Sequence, residues 1–152
     1  MKKLVKPIIV LIILICVIYL MLTTLYKPSQ PARESREELY QDVFISLLLP
    51  SIQGEVNKYY SEYLTEPPMV APYTIFVLSA KRPDGYRTFF FRLKLKIDSY
   101  IGPHISVGLD YLTLTVDGSG NVVIEKFEHI KSYELPPNYE DIIKEGYKNP
   151  IP

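Results

Sequence analysis

Between Ile8 and Leu25 the chain reads IIVLIILICVIYLMLTTL, eighteen positions without a charge. At about 1.5 Å of rise per residue, a helix of that length spans roughly 27 Å, close to the thickness of a bilayer's hydrocarbon core. The sequence therefore predicts a transmembrane signal anchor in residues 1–26, with the membrane as partner over residues 8–25. Lys2, Lys3 and Lys6 precede the run. The positive-inside rule then keeps the N-terminal tip in the cytoplasm and sends the rest outward.

Thr23-Thr24-Leu25-Tyr26-Lys27-Pro28 contains no small-x-small cleavage site, which favours a retained anchor. Cleavage would make the protein secreted. Cys16 follows Ile15, which is too bulky for a lipidation signal, so it reads as an apolar side chain of the span. It is the chain's one cysteine, which excludes a disulfide framework, a multi-Cys zinc module and thiol chemistry outside the membrane.

The charge balance divides at the same place. Over 152 residues, 17 basic side chains meet 17 acidic ones, but residues 1–32 hold four lysines and no acid. The remainder carries 13 basic and 17 acidic residues, a mildly acidic surface that excludes nucleic acid as a partner.

Residues 27–34 form a proline-punctuated linker, and residues 35–152 an extracytoplasmic domain large enough to bury a core. Ser35 and Glu38 make a capping box that starts a helix near Arg36. Leu39, Val43, Phe44, Leu47 and Leu48 follow at helical spacing, and the stripe resumes with Ile52, Val56, Tyr59, Tyr60 and Tyr63. Pro50 lies between the halves and is expected to kink or split the helix, which ends before Pro67-Pro68.

The period then changes to two. Tyr73–Ala80 is apolar on both faces, as a central buried strand would be, and Lys81–Gly85 is a turn. Over Arg87–Asp98, Phe89, Phe91, Leu93, Leu95 and Ile97 alternate with Arg92, Lys94, Lys96 and Asp98, which predicts a strand with one wet face. Gly102-Pro103 leads into Ile105–Val116, and Asp117–Asn121 turns the chain into Val122–His129. A short C-terminal helix is expected over Tyr139–Glu145, capped by Asn138 and stopped by Gly146. The fold class is α+β: a kinked amphipathic helix packed on a four-stranded antiparallel sheet. That order is similar to a cystatin-like roll, an analogy of fold alone.

His104 and His129, with Asp110 and Glu128, have the composition of a two-His, carboxylate site, but their spacing matches no metal motif. Asp117, Ser119, Asn121 and Glu128 fall at calcium-loop offsets. Val122 occupies the position where such a loop needs glycine, and a hairpin explains the same residues. No nucleophile signature is present, and Ser79, Ser106 and Ser132 stand in no activating context. No cofactor is expected. Arg92, Lys94 and Lys96 read as a solvated sheet face. Phe127–Tyr139, FEHIKSYELPPNY, mixes aromatic, charged and proline residues without a period. With Tyr73, Tyr100, Tyr133 and Tyr139 it suits either a capped core or a groove for a peptide or glycan.

Several strings also carry a resemblance: Glu66–Tyr73 (EPPMVAPY), Arg82–Arg87 (RPDGYR), Tyr100–His104 (YIGPH), Val107–Asp110 (VGLD) and Phe127–Pro137 (FEHIKSYELPP). On these the chain resembles a family of small exported or membrane-anchored proteins of spore-forming Firmicutes, described only as a domain of unknown function. The resemblance covers about Leu39 to Lys144 and implies a Gram-positive, envelope-facing location, with no activity attached. The expected function is a membrane-anchored extracytoplasmic domain that binds an envelope peptide, glycan or protein. The ligand-binding candidates are Tyr73, Tyr100, His104, Asp110, Glu128, His129, Tyr133 and Tyr139. The alternative is a metal-dependent or His/carboxylate enzyme using His104, Asp110, Glu128 and His129.

Overall fold

The computed structural model describes residues 12–19 and 30–152. Residues 12–19 are helical; the rest of the expected 8–25 span and the first part of the linker lie outside the described residues. Among the described residues, no helix is long and apolar enough to cross a membrane.

Helix α1, Arg36–Tyr60, opens where the capping residues place it. The Ser35 hydroxyl accepts from the Glu38 N–H at 3.1 Å, while the Glu38 carboxylate reaches back to the Glu34 N–H. Pro50 does not split the helix. It removes the bond to the Ser46 carbonyl, and both residues lie on the exposed side, where water can donate to that carbonyl instead.

The buried stripe of α1 is Ile45, Leu48, Ile52, Val56 and Tyr60. Its second half follows the expected periodicity; of the first half Leu48 is buried and Phe44 packs against the core, but the other three expected residues do not turn inward. Leu39, Val43 and Leu47 are 59%, 51% and 75% exposed, and Ile45 is buried instead. Residues 43–49 are apolar on more than one face, so spacing alone cannot choose which face turns inward.

Four strands make one antiparallel sheet in the order β1-β2-β3-β4: β1 Ile75–Lys81, β2 Phe91–Ile101, β3 Ile105–Val116 and β4 Val122–Ser132. Contrary to expectation, β1 is an edge strand pairing with β2 alone, and its last two residues are exposed. Tyr73 precedes it in a 3-10 turn, Pro72–Thr74. The strand is short because pairing starts only after that turn. The alternation of β2 holds from Leu93 onward, where Leu93, Leu95 and Ile97 are buried against α1 with Leu112, Leu114 and Val107 of β3; the strand begins at Phe91 rather than Arg87, and Phe89, before it, is exposed.

The opposite face of the sheet is charged and partly matched, with Asp98 Oδ1 left without a partner among the described residues. Arg92 pairs with Glu125 at 2.8 Å, and Glu128 takes Lys126 at 2.7 Å and Lys94 at 3.6 Å. Lys94 and Lys96 also lie over the rings of Tyr111 and Phe76. Arg92 and Lys94 thus have carboxylate partners across the sheet, whereas Lys96, among the described residues, has only the Phe76 ring.

Asp117 organises the β3–β4 turn. One carboxylate oxygen accepts the N–H groups of Ser119 (2.8 Å) and Asn121 (3.0 Å), and the other accepts the Asn121 side-chain amide at 2.9 Å. These bonds, the Asn121 side chain's first, hold the Asp117 carboxyl below its ordinary range. Its contribution to stability is present above the unfolded carboxylate pKa and is lost as pH falls through the lowered folded value. Asp117→Ala is expected to lower the melting temperature at pH 7 and to leave it unchanged once wild-type Asp117 is protonated. A melting series from pH 7 to pH 2 checks this, and an equal loss at both ends would contradict it.

The C-terminal segment departs from the expected helix. Residues Pro137–Ile142 form a 3-10 helix with no side-chain cap, so Asn138 is not its N-cap, and it closes before Gly146. Beyond it Ile151 returns to the core at 4% exposure. Asn149 clamps that return by bonding both the N–H and the carbonyl of Leu135 at 2.7 Å.

Candidate functional site

Among the described residues, Asp110 is the one acidic side chain fully buried, on the inner face of the sheet. Burial alone would make its charge costly, so the surroundings must supply donors. The Tyr60 hydroxyl, from the last turn of α1, donates to one oxygen at 3.0 Å. His129 Nδ1 lies 2.7 Å from the other, and Nε2 of the same ring lies 2.8 Å from the Ser132 hydroxyl. The result is a continuous chain, Tyr60–Asp110–His129–Ser132, running from the core to a half-buried serine. Burial raises the Asp110 pKa, and the bonds from His129 and Tyr60 pull it back. Burial, helped by the nearby Asp110 charge, keeps the Tyr60 phenol protonated well beyond the usual range.

A bulge in β4 assembles this chain. Asp110 pairs with His129, Leu109 with Lys131 and Gly108 with Ser132, so Ile130 is an extra residue with no partner. In an unbroken strand, residues three apart point to opposite faces. The extra residue restores the phase, and His129 and Ser132 project to the same side. Gly108 makes the room. A Cβ there would lie 2.0 Å from the Tyr60 hydroxyl oxygen and 3.0 Å from His129 Cε1.

Aromatic rings enclose the imidazole. Tyr59 stacks on it with centroids 5.1 Å apart, and Tyr60 meets it edge-on at 6.0 Å. Tyr59 also packs on Phe127 and Tyr63. Burial and the neighbouring Tyr63 hold its phenol in the protonated, donating form. A main-chain oxygen of Pro152 covers the serine, accepting from the Tyr59 hydroxyl at 3.2 Å and from Ser132 Oγ at 3.4 Å.

A second group forms elsewhere. The Tyr73 hydroxyl lies 3.2 Å from His104 Nδ1, and the rings of Tyr100 and His104 are 4.8 Å apart. Backbone bonds between Met69 and Tyr100 hold this corner together. His104 has a left-handed backbone, φ 65°, which is costly for a side chain with a Cβ and recurs at functional sites. Tyr139 packs against Gly102 of the same turn, its hydroxyl 2.4 Å from where a Cβ would stand.

The eight candidates read from sequence thus separate. Tyr73, Tyr100 and His104 meet, with Tyr139 beside their turn. Asp110 and His129 meet in the buried chain. Glu128 belongs to the outer ion pairs with Lys126 and Lys94, and Tyr133 packs under Lys131. His104 and His129 have separate partners, so the four-residue His/carboxylate arrangement is not assembled. Among the described residues, no group of three or more His, Cys, Asp and Glu side chains could hold a metal ion.

The family model described as a protein of unknown function, DUF3888, matches residues 40–131, more than half of the chain. The chain belongs to this family. No curated protein matches it, and no solved structure does. The matched stretch of the DUF3888 protein contains Tyr60, Tyr73, Tyr100, His104, Asp110 and His129 and ends one residue before Ser132.

Sequence reasoning missed Tyr59, Tyr60 and Ser132 as site residues. The tyrosines sit on the helical stripe and read as core. Ser132 follows His129 by three positions, a spacing that separates the two in any regular strand. Only the bulge makes it informative.

Proposed function

We propose that this DUF3888 protein is a membrane-anchored, extracytoplasmic binding domain that takes an envelope glycan on the Tyr73–Tyr100–His104 corner. The observation that carries the reading is the convergence of Tyr73, from the turn before β1, on Tyr100 and His104 of the β2–β3 hairpin, around a histidine held at positive φ. Tyr73 is 65% exposed and Met69 52%, so the corner offers ring faces beside a hydroxyl and an imidazole. Sugars present C–H faces for ring stacking and hydroxyls for polar contacts, and the corner suits both.

The anchor reading rests on the uncharged run 8–25 and the lysines before it. Leu39, Val43 and Leu47 lie on the first turns of α1, next to the linker, where an apolar stripe would meet the bilayer interface. The family resemblance supports export in a spore-forming Gram-positive cell. A helix followed by a four-stranded meander supports the cystatin-like analogy, which carries no activity.

Binding of the detergent-solubilised full chain to purified cell-wall glycan tests the site. Tyr73→Ala with His104→Ala is expected to weaken binding at least tenfold with an unchanged circular dichroism spectrum. Equal binding by the folded double variant would reject the corner, and preference for a peptide fraction would reject the glycan. Protease added to intact cells should digest a C-terminal tag and spare an N-terminal one; the reverse pattern would refute the orientation.

A further inference from the structure

Glycan binding at the aromatic corner makes no use of the Asp110–His129–Ser132 chain. We propose that Ser132 is the nucleophile of an acyl-transfer site that hydrolyses small esters, with His129 as general base, Asp110 as the positioning residue for the imidazole and Tyr59 as the oxyanion donor.

The geometry has the ordering that nucleophilic catalysis requires. A serine is activated when a base lies within hydrogen-bond reach and a third group orients that base. Here the two links are 2.8 Å and 2.7 Å. With the Asp110 carboxylate ionised, the imidazole proton sits on Nδ1 facing it, and Nε2 can accept from Ser132 once that hydroxyl turns away from the Pro152 oxygen to which it donates. Tyr60 fills the other Asp110 oxygen, which keeps the carboxylate from turning away. The imidazole stacks on Tyr59, which restricts its rotation.

The Pro152 main-chain oxygen marks where the oxygen of an acyl group would sit. It accepts from Ser132 Oγ at 3.4 Å and from the Tyr59 hydroxyl at 3.2 Å, so an oxygen already occupies the space between nucleophile and donor. A substrate can enter only when segment 149–152 lifts. Asn149 pins that segment through its bonds to Leu135 and Glu140. One phenolic donor is a modest oxyanion hole, which suits esters, whose alkoxide leaving groups depart more readily than amines.

The steps balance. Ser132 Oγ bonds to the ester carbonyl carbon while its proton passes to His129 Nε2, and the carbonyl oxygen becomes an oxyanion facing Tyr59. The intermediate collapses, the carbon–oxygen ester bond breaks, and the departing alcohol takes the proton from Nε2. Water then attacks the acyl-serine, giving its proton to Nε2. The acid leaves and Ser132 recovers that proton.

The test uses the full chain, a fluorophosphonate probe read by intact mass, and p-nitrophenyl acetate. The expected result is a single adduct on Ser132 and ester turnover above the uncatalysed rate. Asn149→Ala is expected to raise both about tenfold by freeing the covering segment. Ser132→Ala, which keeps the volume, should abolish labelling, and His129→Gln should slow it at least 100-fold. Tyr59→Phe should lower turnover 10- to 100-fold with labelling retained. In Asp110→Asn the amide N–H faces Nδ1 and moves the ring proton to Nε2. The expected loss is on the order of 10⁴-fold, as at other triads, with the base limb gone from the pH profile. The proposal is overturned if folded wild type and folded Asn149→Ala both remain unlabelled, or if labelling persists in Ser132→Ala.

Discussion

Gly108→Ala is expected to destabilise the domain by about 3 kcal/mol, the upper part of the range for overpacked cores. The backbone of Gly108 is ordinary extended strand; what the position demands is space. A methyl group would stand 2.0 Å from the Tyr60 hydroxyl oxygen and 3.1 Å from Cζ of that ring, which is itself fully buried. Tyr60 can yield only by pulling its hydroxyl off Asp110, so the substitution forces a steric shift and also orphans part of a buried carboxylate. Urea denaturation should show a lower midpoint with an unchanged slope, together with a melting temperature lower by about 10 °C. A melting temperature within 2 °C of wild type would mean that α1 slides away from β3 freely, contrary to the packing described.

Asp110→Ala should cost about as much, ~3 kcal/mol, by a different route. It leaves two donors, the Tyr60 hydroxyl and His129 Nδ1, facing a small cavity, and each unsatisfied buried group costs on the order of 1–3 kcal/mol. Tyr60→Phe removes one bond and leaves the carboxylate on His129, so about 1–2 kcal/mol is expected. Chemical denaturation of the three proteins checks the ranking, and a Tyr60→Phe loss equal to that of Asp110→Ala would show that His129 contributes nothing.

The pH dependence distinguishes this carboxylate from the one in the turn. Burial raises the Asp110 pKa above its ordinary 3.8, so in that window the folded state binds the proton more tightly than the unfolded state. Stability from this group therefore falls as pH rises through the window, and this slope is absent in Asp110→Asn. Asp117 acts with the opposite sign, and comparing the two variants over one pH series separates them.

Much of the architecture was readable from residue pattern. The strict alternation in β2, the Ser35 cap of α1 and the Asp117–Asn121 turn are local signals, and each appears where its chemistry puts it. The position of β1 was not readable, because an apolar segment looks the same whether one neighbour or two will pair with it. The buried face of α1 before Pro50 was ambiguous for a similar reason, since apolar residues occur there on more than one side. Of the site candidates, the aromatic and histidine residues could be named but not grouped.

The charge split at residue 32, the uncharged run before it and the change of period from 3.6 to 2 are properties of the chain taken a few residues at a time, and sequence alone determined them. It also determined the element types of an α+β domain. The tertiary structure decided which side chains meet. His104 joined Tyr73 and Tyr100, whereas His129 joined Asp110, because strand register sets such encounters and one extra residue at Ile130 reverses the facing of all that follows. Register depends on the pairing of whole strands under the helix, a balance that no short stretch of sequence contains.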